Sequence, residues 1–291
     1  MDPQARVLPS PPSISVVIRT RTDSAEALGV FERLKSQRLP PAETIVVDSG
    51  SAAAVLAKLE RLPIRLIRMA PSDYSSASAL NLAISQARGD LIAILSQDAL
   101  PRDESYLEAL AAAFDSPLVA GAYGRQIPRA SGDHPLNVKD LTKTYPPVSR
   151  VQTRDCWFDN ACSMIRADLW RRHPFAAQAV ISEDHEWAKW AQSLGLVIKY
   201  QAEAVVEHSH PRTIRGVWRR SRLEGQGLAW VHGRRVSLAR ALFCCAREVA
   251  SDAVWLLPRG QGQHVFGSVG YRLAKHLGLC LGSRKGFSPR H

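Results

Sequence analysis

Short apolar runs alternate with amphipathic segments through the first third of the chain. The runs occupy residues 14–18, 44–47, 64–67 and 91–95, and such runs are typical of strands buried on both faces. The segments between them carry apolar residues at helical spacing, most clearly over residues 75–88. Strands that alternate with helices through short connections predict an α/β fold with a mostly parallel sheet.

The fourth run ends in Ser96-Gln97-Asp98, and Pro101 then stops the strand. We therefore expect Asp98 just past the carboxyl end of an inner strand, where open α/β sheets hold their ligands. A carboxylate there can hold a divalent cation against a phosphate, or it can cap the helix that follows. Asp98 alone leaves both interpretations open.

The second run ends in Asp48-Ser49-Gly50-Ser51. Asp48 can accept hydrogen bonds from a ribose or a base edge, or it can simply form the turn. Neither GxGxxG nor GxxxxGK[ST] is present, which argues against the usual dinucleotide and P-loop sites.

A second acidic element begins at Ser182, which we expect to be the N-cap of a helix that ends near Gly195. Glu183 and Asp184 then fall in the first turn, where the helix dipole favours the ionised carboxylate. An ionised carboxylate in a pocket can act as general base for a sugar hydroxyl, although acids at a helix start are also ordinary dipole partners.

The sequence His208-Ser209-His210 suggests a metal or diphosphate ligand. On a strand, both rings would lie on one face. The alternative is that one of the two rings is only packed or hydrogen-bonded.

The middle of the chain is less regular. We predict a helix over residues 104–114, a strand over 121–126, a substrate-ordered loop over 131–150 and a strand over 158–166.

The positive charge is concentrated in the last part of the chain. Residues 211–291 carry 15 Lys and Arg against 3 acidic residues, a net charge of +12, whereas the whole chain carries +11. Such a segment suits an anionic membrane surface, a phosphate-bearing substrate or nucleic acid, or it is a solvated face without a partner. Four aromatic residues among the arginines fit an interfacial role: Trp218, Trp230, Phe243 and Trp255.

The 5 cysteines have no metal-ligand spacing, which favours free thiols in the cytoplasm. We expect neither a signal peptide nor a membrane-spanning segment.

Taken in order, these motifs resemble family 2 glycosyltransferases with a GT-A fold, in particular the rhamnosyltransferase-like branch of bacterial surface polysaccharide synthesis. The resemblance rests on segments 14–21, 46–51, 79–84, 89–90, 95–101, 159–163, 182–187 and 208–210. It implies a GT-A domain over residues 1–210, followed by a basic amphipathic helical tail over residues 211–291.

The resemblance also implies an inverting sugar transfer from a nucleotide diphosphate donor, with dTDP-rhamnose as the first expectation and a UDP-sugar as the second. The implied acceptor is a saccharide or a lipid-diphosphate-linked saccharide at the inner face of the plasma membrane. Asp184 would be the base, with Glu183 beside it. The donor-binding residues would be Thr20, Arg21, Asp48, Ser49, Asn81, Gln97 and Asp98.

The family's DxD motif binds Mg²⁺ or Mn²⁺, and here only its last acid remains, in Ser96-Gln97-Asp98. His208 or His210 would then add a metal ligand to Asp98. The anionic membrane surface is the partner that we expect, and nucleic acid is not.

Two other functions have less support in the sequence. A sugar-nucleotidyltransferase should have a glycine-rich loop after the first strand, which Arg19-Thr20-Arg21-Thr22 lacks. A non-catalytic nucleic-acid-binding protein should have a recognisable reader motif, and none is present.

Overall fold

The computed structural model describes residues 8–9, 11–21, 27–129, 133–179, 181–209 and 213–285. The chain forms two compact units. The first comprises Met1–Ile127, Tyr145–Ala177 and Glu183–His208, and the second comprises Pro128–Thr144, Gln178–Ser182 and Ser209–His291. The second unit combines the C-terminal part of the chain with two segments, Pro128–Thr144 and Gln178–Ser182, from the range that the sequence assigned to the GT-A domain.

The first unit is built on a sheet of nine strands within the described residues. The strands are β1 (Ile14–Thr20), β2 (Glu43–Asp48), β3 (Arg65–Arg68), β4 (Leu91–Ser96), β5 (Leu100–Pro101), β6 (Val119–Ile127), β7 (Arg150–Gln152), β8 (Cys162–Arg166) and β9 (Val197–Glu207). Their order is β3-β2-β1-β4-β8-β6-β9-β5, and β7 pairs with β9. The predicted α/β class is confirmed.

Parallel pairing is confined mainly to one half of the sheet. Strands β1 to β4 pair in parallel, as their alternation with helices predicts. Beyond β4 the sheet is mixed, because β8 runs antiparallel to both β4 and β6. The apolar runs fill the core: Val16, Val46 and Ala93 are each 0% exposed.

The helices of the chain, in order, are α1 (Ala27–Lys35), α2 (Ala53–Leu59), α3 (Ser76–Ile84), α4 (Tyr106–Ala111), α5 (Pro135–Thr144), α6 (Ala167–Arg172), α7 (Glu183–Ser193), α8 (Ile214–His232), α9 (Leu238–Leu256) and α10 (Val265–Arg284). Helices α5, α8, α9 and α10 belong to the second unit. Ser75 caps α3 and forms a reciprocal capping box with Ser78, which fixes where that helix begins.

Two local predictions were wrong. The segment 131–150 is not simply a loop, because it contains α5 and the first residue of β7. Helix α5 has few apolar residues, but its Leu136 is buried in the core of the second unit and its Lys139 bonds to Asp252 at 2.7 Å. The strand expected over 158–166 begins only at Cys162, since the preceding residues form a turn held by Asp159.

The second unit is a packed set of helices. Helices α8 and α10 approach each other closely at glycines: a Cβ on Gly282 would lie 2.0 Å from the carbonyl oxygen of Arg222, and one on Gly225 would lie 2.4 Å from that of Leu279. Arg272, 1% exposed, bonds to Asp140 and Asp252 at 2.8 Å and so links α10 to α5 and α9. Among the helices of the described residues, none is both long and apolar enough to cross a membrane.

Candidate active site

The carboxyl ends of β1 and β4 are joined through the side chain of Gln97. Thr20 Oγ1 and the Arg21 N–H both donate to Gln97 Oε1 at 2.8 Å, and Gln97 Nε2 donates to the Arg21 carbonyl at 3.2 Å. The two strands are parallel neighbours, so their ends meet at the same edge of the sheet. A carboxylate could not donate the third bond, so an amide side chain suits this position between the two strand ends.

Asp48 forms the turn that follows β2. Its carboxylate accepts hydrogen bonds from the N–H groups of Gly50 at 3.1 Å and Ser51 at 3.2 Å. The N–H of Ser49 donates to the Thr20 carbonyl at 3.0 Å. The turn-forming interpretation of Asp48 is therefore observed, and the turn lies beside the end of β1.

Asp98 and His208 form a pair. His208 Nε2 lies 3.5 Å from Asp98 Oδ1, while His208 Nδ1 lies 2.8 Å from Gln126 Oε1. Since an amide oxygen only accepts, His208 Nδ1 donates to Gln126, and Nε2 faces the Asp98 carboxylate. His208 follows the end of β9 and is not on a strand as predicted, and His210 lies outside the described residues.

The Asp98–His208 pair can take part in a divalent metal site but cannot complete one. Over the part of the chain that the structure describes, no group of three or more His, Cys, Asp or Glu residues could hold a metal ion. Mg²⁺ sites commonly use one or two carboxylates and complete their coordination with substrate phosphates and water. The donor set therefore fits Mg²⁺ or Mn²⁺ when a diphosphate supplies further oxygens.

Asp159 is held by groups from three separate parts of the chain. Its carboxylate accepts hydrogen bonds from Gln126 Nε2 at 2.7 Å, from the Ala161 N–H at 2.9 Å and from the Tyr145 hydroxyl. Burial raises the pKa of Asp159, but the hydrogen bonds from Tyr145, Ala161 and Gln126 and the nearby His208 ring together hold the pKa below its usual value. Gln126 thus connects the Asp159 carboxylate to the His208 ring.

Glu183 is tied to β1 and α3. Its Oε1 accepts a hydrogen bond from the Ser76 hydroxyl, which in turn accepts one from Arg19. The Arg19 guanidinium lies 3.9 Å from the same carboxylate oxygen, and the Glu183 side chain is only 6% exposed. Glu183 therefore anchors the start of α7 to the strand edge that carries Thr20.

Asp184, the next residue, is half-buried and accepts hydrogen bonds from two backbone N–H groups. Its Oδ2 accepts a hydrogen bond from the Asn160 N–H at 3.3 Å, and its Oδ1 accepts one from the His185 N–H at 2.9 Å. Burial raises the pKa of Asp184 to about 6; neighbouring Glu183 and Asp159 add to the rise, and His185 opposes it. A carboxylate with this pKa is ionised at neutral pH and remains a useful proton acceptor.

The residue before α7 differs from its prediction. Ser182 has a φ of 69°, in the left-handed region, whereas N-cap residues usually have extended φ and ψ. A serine in this conformation is strained by roughly 1 kcal/mol, and such strain tends to occur at functional sites.

Asn81 is occupied by contacts with the segment after α6. Its amide nitrogen donates to the Phe175 carbonyl at 2.7 Å, and its amide oxygen accepts from the Phe175 N–H and from Trp170 Nε1, each at 3.1 Å. The sequence placed Asn81 near the diphosphate. Its described bonds instead join α3 to residues 170–175.

Several residues that hold these groups together were not predicted from the sequence, namely Arg19, Ser76, Gln126, Tyr145 and Asp159. Arg19 and Asp159 stand inside the motifs that carry the resemblance, so a role for them was detectable. Ser76, Gln126 and Tyr145 are common residue types in unremarkable local sequence, and only the folded chain brings them to the site.

The mixed α/β sheet, with acidic residues at strand ends and at the start of α7, has the arrangement of sugar-transferring enzymes of the GT-A class. The chain belongs to glycosyl transferase family 2, whose family model matches residues 15–174. The family and enzyme class predicted from the sequence are thus confirmed, and family membership decides against a sugar-nucleotidyltransferase and against a non-catalytic protein.

Two curated relatives cover most of this chain. The O-antigen chain rhamnosyltransferase RfbN of Salmonella typhimurium is 27% identical over 219 residues, 71% of this chain and 69% of its own length. The O-antigen chain rhamnosyltransferase WbaN of Salmonella anatum is 24% identical over 220 residues, 72% of this chain and 70% of its own length.

A solved structure of a mannosyltransferase from Pyrobaculum calidifontis, in complex with GDP-Man and Mn²⁺, superposes with a TM-score of 0.66. The match covers 94% of this chain and 86% of the other at 18% sequence identity. At this identity the likeness concerns the fold, and it confirms the GT-A architecture.

Proposed function

We propose that the protein transfers a single sugar, with rhamnose from dTDP-rhamnose as the first candidate, onto a saccharide hydroxyl with inversion at the anomeric carbon. The enzyme is a nucleotide-sugar glycosyltransferase of polysaccharide synthesis. The two O-antigen rhamnosyltransferases support rhamnose as the sugar. A lipid-diphosphate-linked saccharide at the inner face of the plasma membrane is the acceptor that fits such a pathway.

The observation that carries the proposal is the environment of Asp184. Its carboxylate lies at the start of α7, is fixed by the Asn160 N–H at 3.3 Å and has a pKa of about 6. In the proposed reaction, Asp184 takes the proton of the acceptor hydroxyl as that oxygen bonds to the anomeric carbon. The bond from that carbon to the donor's diphosphate oxygen breaks, and the nucleoside diphosphate leaves with the electron pair.

The donor is proposed to bind along the edge formed by β1, β2 and β4. Gln97 fixes the Thr20–Arg21 backbone, and the Asp48–Ser49 turn lies against the same strand end. The Arg21 side chain can then face the donor's negative charge. Asn81 contributes indirectly, by holding residues 170–175 against α3.

Asp98 and His208 are proposed to hold a divalent cation together with the donor diphosphate. When bound, the cation neutralises charge that develops on the leaving diphosphate. The described residues offer one carboxylate and one ring nitrogen at this point. Both Mg²⁺ and Mn²⁺ accept such ligands.

Substitution Asp184→Asn tests the proposal. Turnover should fall by about 10²- to 10⁴-fold, the usual contribution of a general base, while the Kd of the nucleotide donor measured by calorimetry should stay within a factor of about two. Glu108→Gln, at an exposed acid on α4, is the matched control and should keep full activity. Unchanged turnover in Asp184→Asn would overturn the assignment of the base.

The identity of the donor is tested separately. Thermal shifts with dTDP-rhamnose, UDP-sugars and GDP-mannose, each with and without Mn²⁺, should show the largest shift for dTDP-rhamnose with the metal. Product NMR should show the anomeric configuration opposite to that of the donor. Retention of configuration would exclude the single-displacement reaction.

A further inference from the structure

Helix α9 presents a continuous exposed face of apolar and basic residues, which we call the α9 outer face. It is defined by Arg240, Phe243, Arg247 and Val254, which recur at helical spacing, and by Leu257, which directly follows the last residue of α9. Phe243 is 66% exposed, Val254 is 75% exposed and Leu257 is 61% exposed. Large apolar side chains aligned in this way are unusual on a surface that meets only water.

The acidic residues of α9 lie on its other side. Between residues 238 and 257 the sequence contains only two acids, Glu248 and Asp252. Asp252 is 0% exposed and bonds to Lys139 at 2.7 Å and to Arg272 at 2.8 Å, whereas Glu248 bonds to Lys275 at 3.0 Å. The outer face therefore carries the helix's positive charge without its negative charge.

The tryptophans expected to meet the membrane have other environments. Trp218 and Trp255 pack against the apolar core of the second unit, and the Arg259 guanidinium lies 4.3 Å from the Trp255 ring centroid. Trp230 is half-buried. Of the four aromatic residues identified in the sequence, Phe243 is the one that is strongly exposed.

We propose that the α9 outer face docks on a bilayer that contains anionic phospholipids. Arginines can bind lipid phosphates while Phe243, Val254 and Leu257 enter the boundary between headgroups and acyl chains, as interfacial amphipathic helices do. The inference goes beyond the proposed reaction, because the docking requires nothing of the donor or of Asp184.

Two other occupants fit less well. A second copy of the chain would bring Arg240 and Arg247 of both copies together in a self-complementary contact, and the like charges would repel. Nucleic acid would bind the arginines through its phosphates, but that contact would leave Phe243, Val254 and Leu257 in water. A lipid surface uses both kinds of residue.

Co-sedimentation of the full-length protein with vesicles tests the docking. Vesicles of phosphatidylcholine alone are compared with vesicles that also contain phosphatidylglycerol, at low and at physiological salt. The wild-type protein should bind only the anionic vesicles, and salt should weaken the binding. Equal binding to both kinds of vesicle, or binding to neither, overturns the proposal.

Two variants separate the apolar and the basic contributions. The double variant Phe243→Glu/Val254→Glu should lose at least about tenfold in vesicle affinity, because it replaces two apolar side chains that would enter the bilayer. In Arg240→Gln/Arg247→Gln, the loss of each arginine should lower the vesicle affinity about fivefold. The control Val148→Glu changes a valine of the first unit that is 68% exposed, and it should bind as the wild-type protein does.

Two further results would show that the α9 outer face binds a partner other than lipid. A dimer in size-exclusion chromatography that Phe243→Glu/Val254→Glu dissolves, or tight DNA binding that the same variant leaves intact, would overturn docking on lipid. Transfer to a water-soluble acceptor should be unchanged in all these variants. A failure of vesicle binding is thereby distinguished from a failure of the proposed reaction.

Discussion

The Nε2 atom of His208 lies 3.5 Å from Oδ1 of Asp98, although the two residues are far apart in the sequence. The short strand β5 explains the proximity, because its Leu100 pairs with Glu207 at the end of β9. Gln126 holds the other ring nitrogen of His208 at 2.8 Å. The histidine ring is thus oriented toward the carboxylate before any ligand binds.

We predict that the Asp98–His208 pair sets the metal requirement. Asp98→Asn should raise the Mn²⁺ concentration for half-maximal transferase activity by at least about tenfold, since even indirect partners of metal ligands contribute 10- to 100-fold. His208→Gln should have a smaller effect in the same direction. Activity measured against Mn²⁺ concentration gives both values.

Asp115→Asn is the control for this prediction. Asp115 is an exposed acid on the surface of the first unit and pairs with Lys199 at 2.6 Å. Its loss should leave the Mn²⁺ dependence unchanged. If Asp98→Asn shows the Mn²⁺ dependence of the wild-type enzyme, the pair does not bind the catalytic metal.

The pH dependence of activity should follow Asp184. Its pKa is raised to about 6 by burial, with Glu183 and Asp159 adding to the rise and His185 opposing it. A base must be deprotonated, so kcat/KM should fall about tenfold per pH unit below pH 6. Rates between pH 5 and pH 8 at saturating Mn²⁺ provide the measurement, and a flat profile through pH 6 would contradict the assignment.

Asp184 should also make the stability depend on pH, in the opposite direction to the activity: low pH favours the folded state. A carboxyl whose pKa is higher in the folded than in the unfolded protein stabilises the fold below about pH 4, and this stabilisation is lost as the pH rises through about 6. Asp184→Asn removes the buried charge. At pH 7 the variant should therefore melt at a higher temperature than the wild-type protein in calorimetry, and at pH 4 the difference should vanish.

We predict that Glu183 contributes to stability through Arg19 and Ser76. Glu183→Gln leaves the Arg19 guanidinium near β1 without a carboxylate at 3.9 Å and should cost about 1 to 3 kcal/mol. Unfolding in guanidinium chloride, monitored by circular dichroism, measures the loss in the free energy of unfolding. Glu224→Gln breaks an exposed pair with Arg220 at 2.8 Å and should cost less than about 1 kcal/mol.

The glycines of α10 should differ in their tolerance of alanine. At Gly282 an added Cβ would meet the Arg222 carbonyl at 2.0 Å, so α8 and α10 must separate, at a cost of about 1 to 3 kcal/mol. At Gly267 no atom lies within 4 Å of the added Cβ. Gly267→Ala should instead stabilise α10 by up to about 1 kcal/mol, because alanine is the better helix former.

Thermal melts of both variants test this contrast. Equal melting temperatures for Gly282→Ala and Gly267→Ala would show that the close approach of α8 and α10 does not limit stability.

Much of the fold was predictable because its signals are local. Continuous apolar runs define β1, β2 and β4, and the polar residues that end them locate the edge of the sheet where the site lies. The acidic start of α7 was visible for the same reason. Helix α5 was missed because its stability comes from long-range contacts of Leu136 and Lys139 with the other helices of its unit.

The sequence by itself determined the family and the parallel half of the sheet. It also placed Asp98 after the end of a strand, and Glu183 and Asp184 at the start of a helix. Only the tertiary structure decided what each of them does: Asp98 pairs with His208, Glu183 bonds to Ser76, and Asp184 is left with a pKa of about 6. The physical reason is that residue type and spacing fix local conformation, whereas burial and partners depend on which distant segments the sheet brings together.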